Sequence, residues 1–388
     1  MEKTLKLALN RFAIIPLSLR SDPALNRPAP TITVELADLY HHYYLDSYGR
    51  TPPHPDPAQF EYLRFLLPTR EFRVRNDGIG DSTVTRRHSS TALGQAFCRM
   101  FLHDHVGITY FAHMEHVLGR AMRPPFSSIS VLRVESGDTP DYFCAMNVNN
   151  VFLSEAKGRY PSISFLSKQF ASWREQFDRV VVKDSNGTRR QVKGYIVATR
   201  FATEEQPSVQ STLFAEDPNS PGDLPLAENQ AVELGRVIIA LHYSEIALKL
   251  GQNILAAALS DGFTVPEDIR FPCTIWELRI GPEHGMRFVG GFYLSEGGLL
   301  PFRVTEKGTI YDPVAPFRLD VASATFFGVE ESIFRQVIEI ARRGVTITAE
   351  LRQLDEETLP FYSGFSLLRD GCVIGPLEFF VPVAQLAL

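Results

Sequence analysis

Three residues in this chain have the types and spacing that metal-dependent phosphodiester chemistry needs. Asp141 follows Pro140, and Glu155 and Lys157 stand at the end of the apolar run "VFLSEAKG". Side chains of an extended strand alternate between faces, so Val151, Leu153, Glu155 and Lys157 share one face and Phe152, Ser154 and Ala156 the other. The charged pair therefore falls where an otherwise apolar face meets solvent or a cleft. A turn through Asn149 and Asn150 folds this strand back on "DYFCAMNV", which brings Asp141 toward Glu155. Two carboxylates can hold a hard divalent ion such as Mg²⁺, which takes oxygen ligands and keeps several waters. Such an ion polarises a phosphate, stabilises developing negative charge and helps generate a nucleophile from water. A lysine beside it orients that water, or acts as a base if its pKa is depressed. A third acid from the preceding helix completes the set, and Glu115 is the candidate.

The elements that must position these groups can be read around them. "HSSTALGQAFCRMFLHDH" reads as a helix capped by Ser89, Ser90 or Thr91, with Leu93, Ala96, Phe97, Met100 and Phe101 at helical spacing. The second half of "GITYFAHMEHVLGRA" continues as helix and carries Glu115 and His116. "FSSISVLRVES" has strand character, the hairpin follows, "ISFLSKQFASWREQFDRVVV" is a helix running toward a strand, and "QVKGYIVATRF" is a further strand. The order is helix, three strands, helix, strand.

Pro140-Asp141 followed by Glu155-Ala156-Lys157, within that order of elements, resembles the PD-(D/E)xK nuclease superfamily over residues 88 to 201. The resemblance implies an α/β fold: a restriction endonuclease-like mixed sheet flanked by helices, here with a second α+β domain. It implies Mg²⁺ or Mn²⁺ on Asp141 and Glu155, with Glu115 matching the Glu that many members carry in the first core helix. It gives Lys157 a part in hydrolysis, and Gln169 of "SKQF" the place of a Gln or Lys common in the helix after the ExK strand. The substrate it implies is nucleic acid, DNA more often than RNA. On this reading residues 1–87 are an N-terminal α/β extension and 88–202 the nuclease-like core. Residues 203–230, with six acidic residues and no basic one, form a linker or surface loop, and 231–388 a C-terminal α+β domain.

Composition constrains the reading further. With 388 residues, 44% apolar and 22% charged, the chain has ordinary soluble composition and length for two domains. The net charge of −6 argues against a surface basic all over, yet Lys157 to Lys193 holds nine Lys or Arg against three acids. Arg70, Arg73, Arg75, Arg86 and Arg87 add to a basic stripe suited to a phosphate backbone. Cys98, Cys144, Cys273 and Cys372 form no CxxC pair, which favours a reduced, cytoplasmic location. "MEKTLKLALNRFAIIPLSLR" lacks a small-residue cleavage site and reads as mature protein, and no apolar run reaches the roughly 20 residues of a membrane span. The apolar stretch 231–259 is a buried core helix or an oligomer interface.

Other chemistries have weaker footing. Neither phosphate-binding glycine pattern is present, and Ser244 near His242 lacks a nucleophile elbow. The pairs His103/His105 and His113/His116 do not form HExxH; a histidine-based metallohydrolase requires His103, His113 or His116 to converge. The alternative to a nuclease is a non-catalytic nucleic-acid-binding or assembly protein on the same scaffold. Geometry separates the two, because catalysis requires Asp141, Glu155 and Lys157 to meet.

Overall fold

The computed structural model describes residues 2–47, 65–119, 126–293, 302–305, 308–311, 324–344, 351–354 and 364–388. The Pro-rich joint "RTPPHPDPAQF" lies outside them. The architecture is mixed α/β, built on two large sheets. The larger sheet takes β1 (Glu2–Asn10), β2 (Thr31–Glu35), β3 (Tyr110–His113), β5 (Tyr142–Asn147), β6 (Asn150–Arg159), β8 (Lys193–Arg200) and β9 (Thr212–Glu216). Its spatial order is β2-β1-β9-β8-β6-β5-β3. The pairs β6/β8 and β1/β9 are parallel and the remaining neighbours antiparallel.

The hairpin forms as its alternation requires, with Tyr142 opposite Ser154 and Phe143 opposite Leu153. Near its turn the register shifts between Ala145 and Asn147, where the Asn147 side chain accepts the backbone N–H groups of Asn149 and Asn150. β4 (Ile129–Arg133) is a strand, but not one of the meander that the sequence suggests. It pairs with β7 (Val180–Asp184) in a separate four-stranded sheet. Tyr110–His113 takes the place beside β5 instead.

Two further expectations are corrected. Residues 203–230 are not simply a linker, because Thr212–Glu216 is an interior strand between β1 and β8. The segment 1–87 is no separate extension either, since β1 and β2 belong to the same sheet as the hairpin.

Helix α1 (Leu36–Ser47) lies against α2 (Thr83–Phe101), which packs across β6 and β8. α2 starts earlier than expected. Extended Ser82 is its cap and accepts the Thr85 N–H, while Ser89 and Ser90 are buried within the helix. Its contact with β6 is unusually close, because a Cβ on Gly94 would overlap the Gly158 backbone and one on Gly158 would overlap the Ser90 carbonyl. Both positions need hydrogen for a side chain.

Short α3 (Met114–Gly119) follows β3, and α4 (Lys168–Glu175) lies in the crossover from β6 to β8. α5 (Glu228–Lys249) packs on β3, β5 and β6. On it His242 accepts the Phe111 N–H of edge strand β3 at 3.3 Å through Nδ1 and meets Asp370 at 2.8 Å through Nε2. Ser244 is buried and bonded to the Ala256 carbonyl, so neither residue is set out as a nucleophile or its base. The stretch 231–259 is thus core, with α5 followed by buried α6 (Asn253–Asp261).

The second large sheet is formed by β10 (Pro272–Leu278), β11 (Arg287–Tyr293), β12 (Thr325–Glu330), β13 (Ser366–Leu367), β14 (Cys372–Pro376) and β15 (Phe380–Ala387). Its six strands run in the order β13-β14-β12-β11-β10-β15. α7 (Glu331–Arg343) packs against it. No helix among the described residues is long and apolar enough to cross a membrane.

The Gly94–Gly158 contact makes a test. Gly158→Ala must push α2 off the strand end, at a cost of about 1–3 kcal/mol or more. Gly291→Ala in β11, where a Cβ meets nothing within 4 Å, should be nearly neutral. Urea midpoints of the two variants check this; equal midpoints would refute the close approach.

Candidate active site

The hairpin register sets the geometry. Stepping outward from Tyr142 opposite Ser154 places Asp141 opposite Glu155, so their side chains lie on one face, with Lys157 next along it. Asp141 Oδ2 accepts the Ala156 N–H at 2.7 Å, which ties the carboxylate to the partner strand. The Asp141 carbonyl accepts the Met114 N–H at 2.8 Å, so α3 begins beside the site. The Lys157 ammonium is in ion-pair contact with Glu155 Oε1 and lies 4.0 Å from Asp141 Oδ2. Asp141, Glu155 and Lys157 therefore meet across one hairpin.

Their exposures differ. Glu155 is fully buried, while the Asp141 and Lys157 side chains are 24% and 28% exposed. Neither Glu155 oxygen has a partner at ordinary hydrogen-bond geometry among the described residues, although the lysine charge is at hand. Burial, and then the Asp141 charge, hold the Glu155 carboxyl well above its usual range. Burial also raises Asp141, against the pull of Lys157 and of the Ala156 N–H. Burial alone lowers a lysine, but the two carboxylates outweigh it and hold Lys157 above its ordinary value.

Asp141 and Lys157 open on a cavity of about 690 Å³. Glu115 lines it, as expected, but from α3. The residue that α2, the helix flanking the ExK strand, contributes is Gln95. Asp141, Glu155 and Glu115 are not a group of three with ligand atoms all within 4.8 Å of one another. Glu115 shares the cavity, then, without closing a three-carboxylate shell. Gln169 stands apart, exposed at the start of α4, and lines a neighbouring cavity of about 450 Å³. That cavity also takes Arg86, Arg87 and Arg159, and Lys157 borders both. Arg86 pairs with Asp77 at 2.6 Å, whereas Nε and Nη1 of Arg159 are buried without a hydrogen bond.

Three acids in the cavity wall escape sequence reading: Asp46, Asp138 and Glu245. Asp46, near the end of α1, accepts the Tyr142 hydroxyl at 2.7 Å and lies 3.3 Å from Arg99 and 3.4 Å from His113. Its charge adds to the upward push on Asp141. Glu245 comes from α5 and meets His116 at 3.4 Å, so the boundary at 230/231 does not separate the C-terminal segment from the site. The signal for Asp46 was its helical spacing: Asp38, His42 and Asp46 recur every four residues along an otherwise Tyr- and Leu-rich helix. His113 and His116 touch ring to ring at the cavity, but His103 does not join them. His103, His113 and His116 therefore do not converge on one site. A larger cavity, about 730 Å³ beside Lys249, Tyr293 and Phe327, holds none of the candidate residues.

What the arrangement offers chemically is a pair of carboxyls on one sheet face, an ammonium against them, and basic side chains next door. Compared with known proteins, the chain matches no family model, and neither a curated protein nor a solved structure matches it significantly.

Proposed function

We propose that this chain is a divalent-metal-dependent nuclease that hydrolyses phosphodiester bonds at Asp141, Glu155 and Lys157. The observation that carries the reading is the meeting of these three side chains across one hairpin, with Glu155 buried, Lys157 against its Oε1 and no hydrogen-bond partner at its Oε2. Buried polar atoms without partners are costly, and a cation supplies what they lack. The helix–strand order supports a restriction endonuclease-like core: α2, β3, β5, β6, α4 and β8, with β6 and β8 parallel. The preference for DNA over RNA rests on the sequence resemblance alone.

Asp141 and Glu155 fit Mg²⁺ or Mn²⁺, being hard oxygen donors on one face, and Glu115 can contribute through water from across the cavity. When bound, the ion supplies a Lewis acid for the phosphate and a water of lowered pKa. Lys157 then gives up its contact with Glu155 and turns to the attacking water or a phosphate oxygen. Arg159 and Arg87 hold the backbone in the neighbouring cavity as charge-assisted donors, and Gln169 lies at its rim.

Nucleic acid cleavage under single-turnover conditions tests this. Glu155→Gln should fold, since it is nearly isosteric and removes a buried charge, yet weaken Mg²⁺ and Mn²⁺ binding by more than about tenfold. Lys157→Ala should leave metal binding largely intact and slow cleavage by about 10² to 10⁴. If both variants cleave at the wild-type rate, the site is wrong.

A second test uses the raised carboxyl pKa values. Cation binding needs both carboxyls ionised, and burial holds their pKa values up in the free protein, so Mn²⁺ affinity should keep rising above about pH 5.5, where ordinary Asp and Glu are already ionised. Calorimetry in two buffers of different ionisation enthalpy should show net proton release in wild type and less in Glu155→Gln. Equal release from both would contradict the assignment.

A further inference from the structure

A second cluster stands one helical turn from the cavity. α1 and α2 pack so that Asp46 faces Arg99 at one level and His42 faces His103 at the next, with ring centroids 5.1 Å apart. α2 ends here in a π-helical turn, Leu102–Val106, closed by Gly107 at φ 81°. Such turns often re-aim side chains at functional positions. This one presents His103 and Asp104 together, joined at 2.8 Å from Nδ1 to Oδ1. His42 is 1% exposed, and neither of its ring nitrogens has a hydrogen-bond partner. A buried imidazole with two idle nitrogens demands a reason.

We infer that His42, His103 and Asp104 form a site for a borderline divalent transition metal of the Zn²⁺ type, distinct from the carboxylate pair. Their ligand atoms lie within 4.8 Å of one another, the one such group of three among the described residues. Tetrahedral bonds of 2.0–2.1 Å set donors about 3.4 Å apart, so side-chain rotations of little more than an ångström complete the fit. Two imidazoles and a carboxylate suit Zn²⁺, Co²⁺ or Ni²⁺ rather than Mg²⁺ or Ca²⁺. Asp104 is 37% exposed and gives the ion its way in, with the open fourth position left to water. A second carboxyl, Asp38 on α1, is close enough to feel the charge of Asp104.

The positive groups nearby are engaged elsewhere. Arg99 pairs with Asp46, and the Arg369 guanidinium reaches the His103 and Ile108 carbonyls. The Arg369 N–H touches His103 Nε2 only at 3.5 Å. His41, beside His42, bonds Ser366 at 2.9 Å. An ion here clamps α1 to the end of α2 at the place where residues 366–370 dock.

Chelator-treated full-length protein titrated with Co²⁺ tests the site through visible d–d absorption. One equivalent should give intense bands that Zn²⁺ abolishes, and Zn²⁺ should raise the melting temperature. Asp104→Asn, a surface change, should weaken Co²⁺ binding at least tenfold, and His42→Phe should abolish the bands. Asp141→Asn should leave them unchanged, which separates this site from the carboxylate pair. No bands in wild type, bands that survive in Asp104→Asn at wild-type affinity, or bands lost only in Asp141→Asn each overturn the assignment. If His42→Phe does not fold, Asp104→Asn decides.

Discussion

A carboxylate that no water reaches is expensive unless charge or hydrogen bonds answer it, and Glu155 is such a group. Its position is not adjustable. β6 is an interior strand bonded to β5 on one side and β8 on the other, so moving Glu155 by one residue would turn every side chain of the strand to the opposite face. The surroundings are built around this constraint. The same register sets Asp141 across from it, the Asp141 carboxylate grips the Ala156 N–H, and Lys157 bends back to lay its ammonium on the buried oxygen. A protein that used this hairpin only as scaffold could relieve the strain with an amide or an apolar residue.

The walls around the pair come from distant parts of the chain. α2 reaches the strand end because Gly94 and Gly158 let two backbones touch, which brings Gln95 to the cavity and the arginines of the first turns to the next one. α1 supplies Asp46 and α5 supplies Glu245. α5 also covers the β3 edge, where His242 takes an otherwise unpaired strand N–H and passes the contact to Asp370. Site, sheet edge and C-terminal segment are coupled through one helix, so a division of the chain at residue 230 or 231 cuts through the working unit.

Local patterns were legible from residues alone. Alternation in "VFLSEAKG" sets Glu155 and Lys157 on one face and the Asn turn brings Asp141 toward them, because face and turn are decided within a few residues. The register that puts Asp141 opposite Glu155 is set by the folded hairpin. Partner choice is not local. Ile129–Arg133 has the residues of a strand, but nothing in them says that Val180–Asp184 is the neighbour. Thr212–Glu216 is hidden among prolines and acids, and its apolar run Leu213, Phe214 and Ala215 is too short to mark an interior strand. Glu115 lies on a helix ahead of the hairpin, as its segment suggests, but that helix is α3 and not the core helix α2. A π turn and a four-residue strand separate the two, and neither leaves a strong pattern. Asp46 needed the packing of α1 on α2, a contact between segments more than fifty residues apart in sequence.

The central claim is that Asp141 and Glu155 share one divalent ion and that Lys157 stands in its place when the ion is absent. Anomalous diffraction from crystals soaked in Mn²⁺ near pH 8 addresses it most directly. The account predicts a single strong peak about 2.1–2.2 Å from oxygens of both carboxylates, with the Lys157 ammonium swung away from Glu155. Crystals with no peak between the two carboxylates, and Lys157 still against Glu155 Oε1, would contradict it.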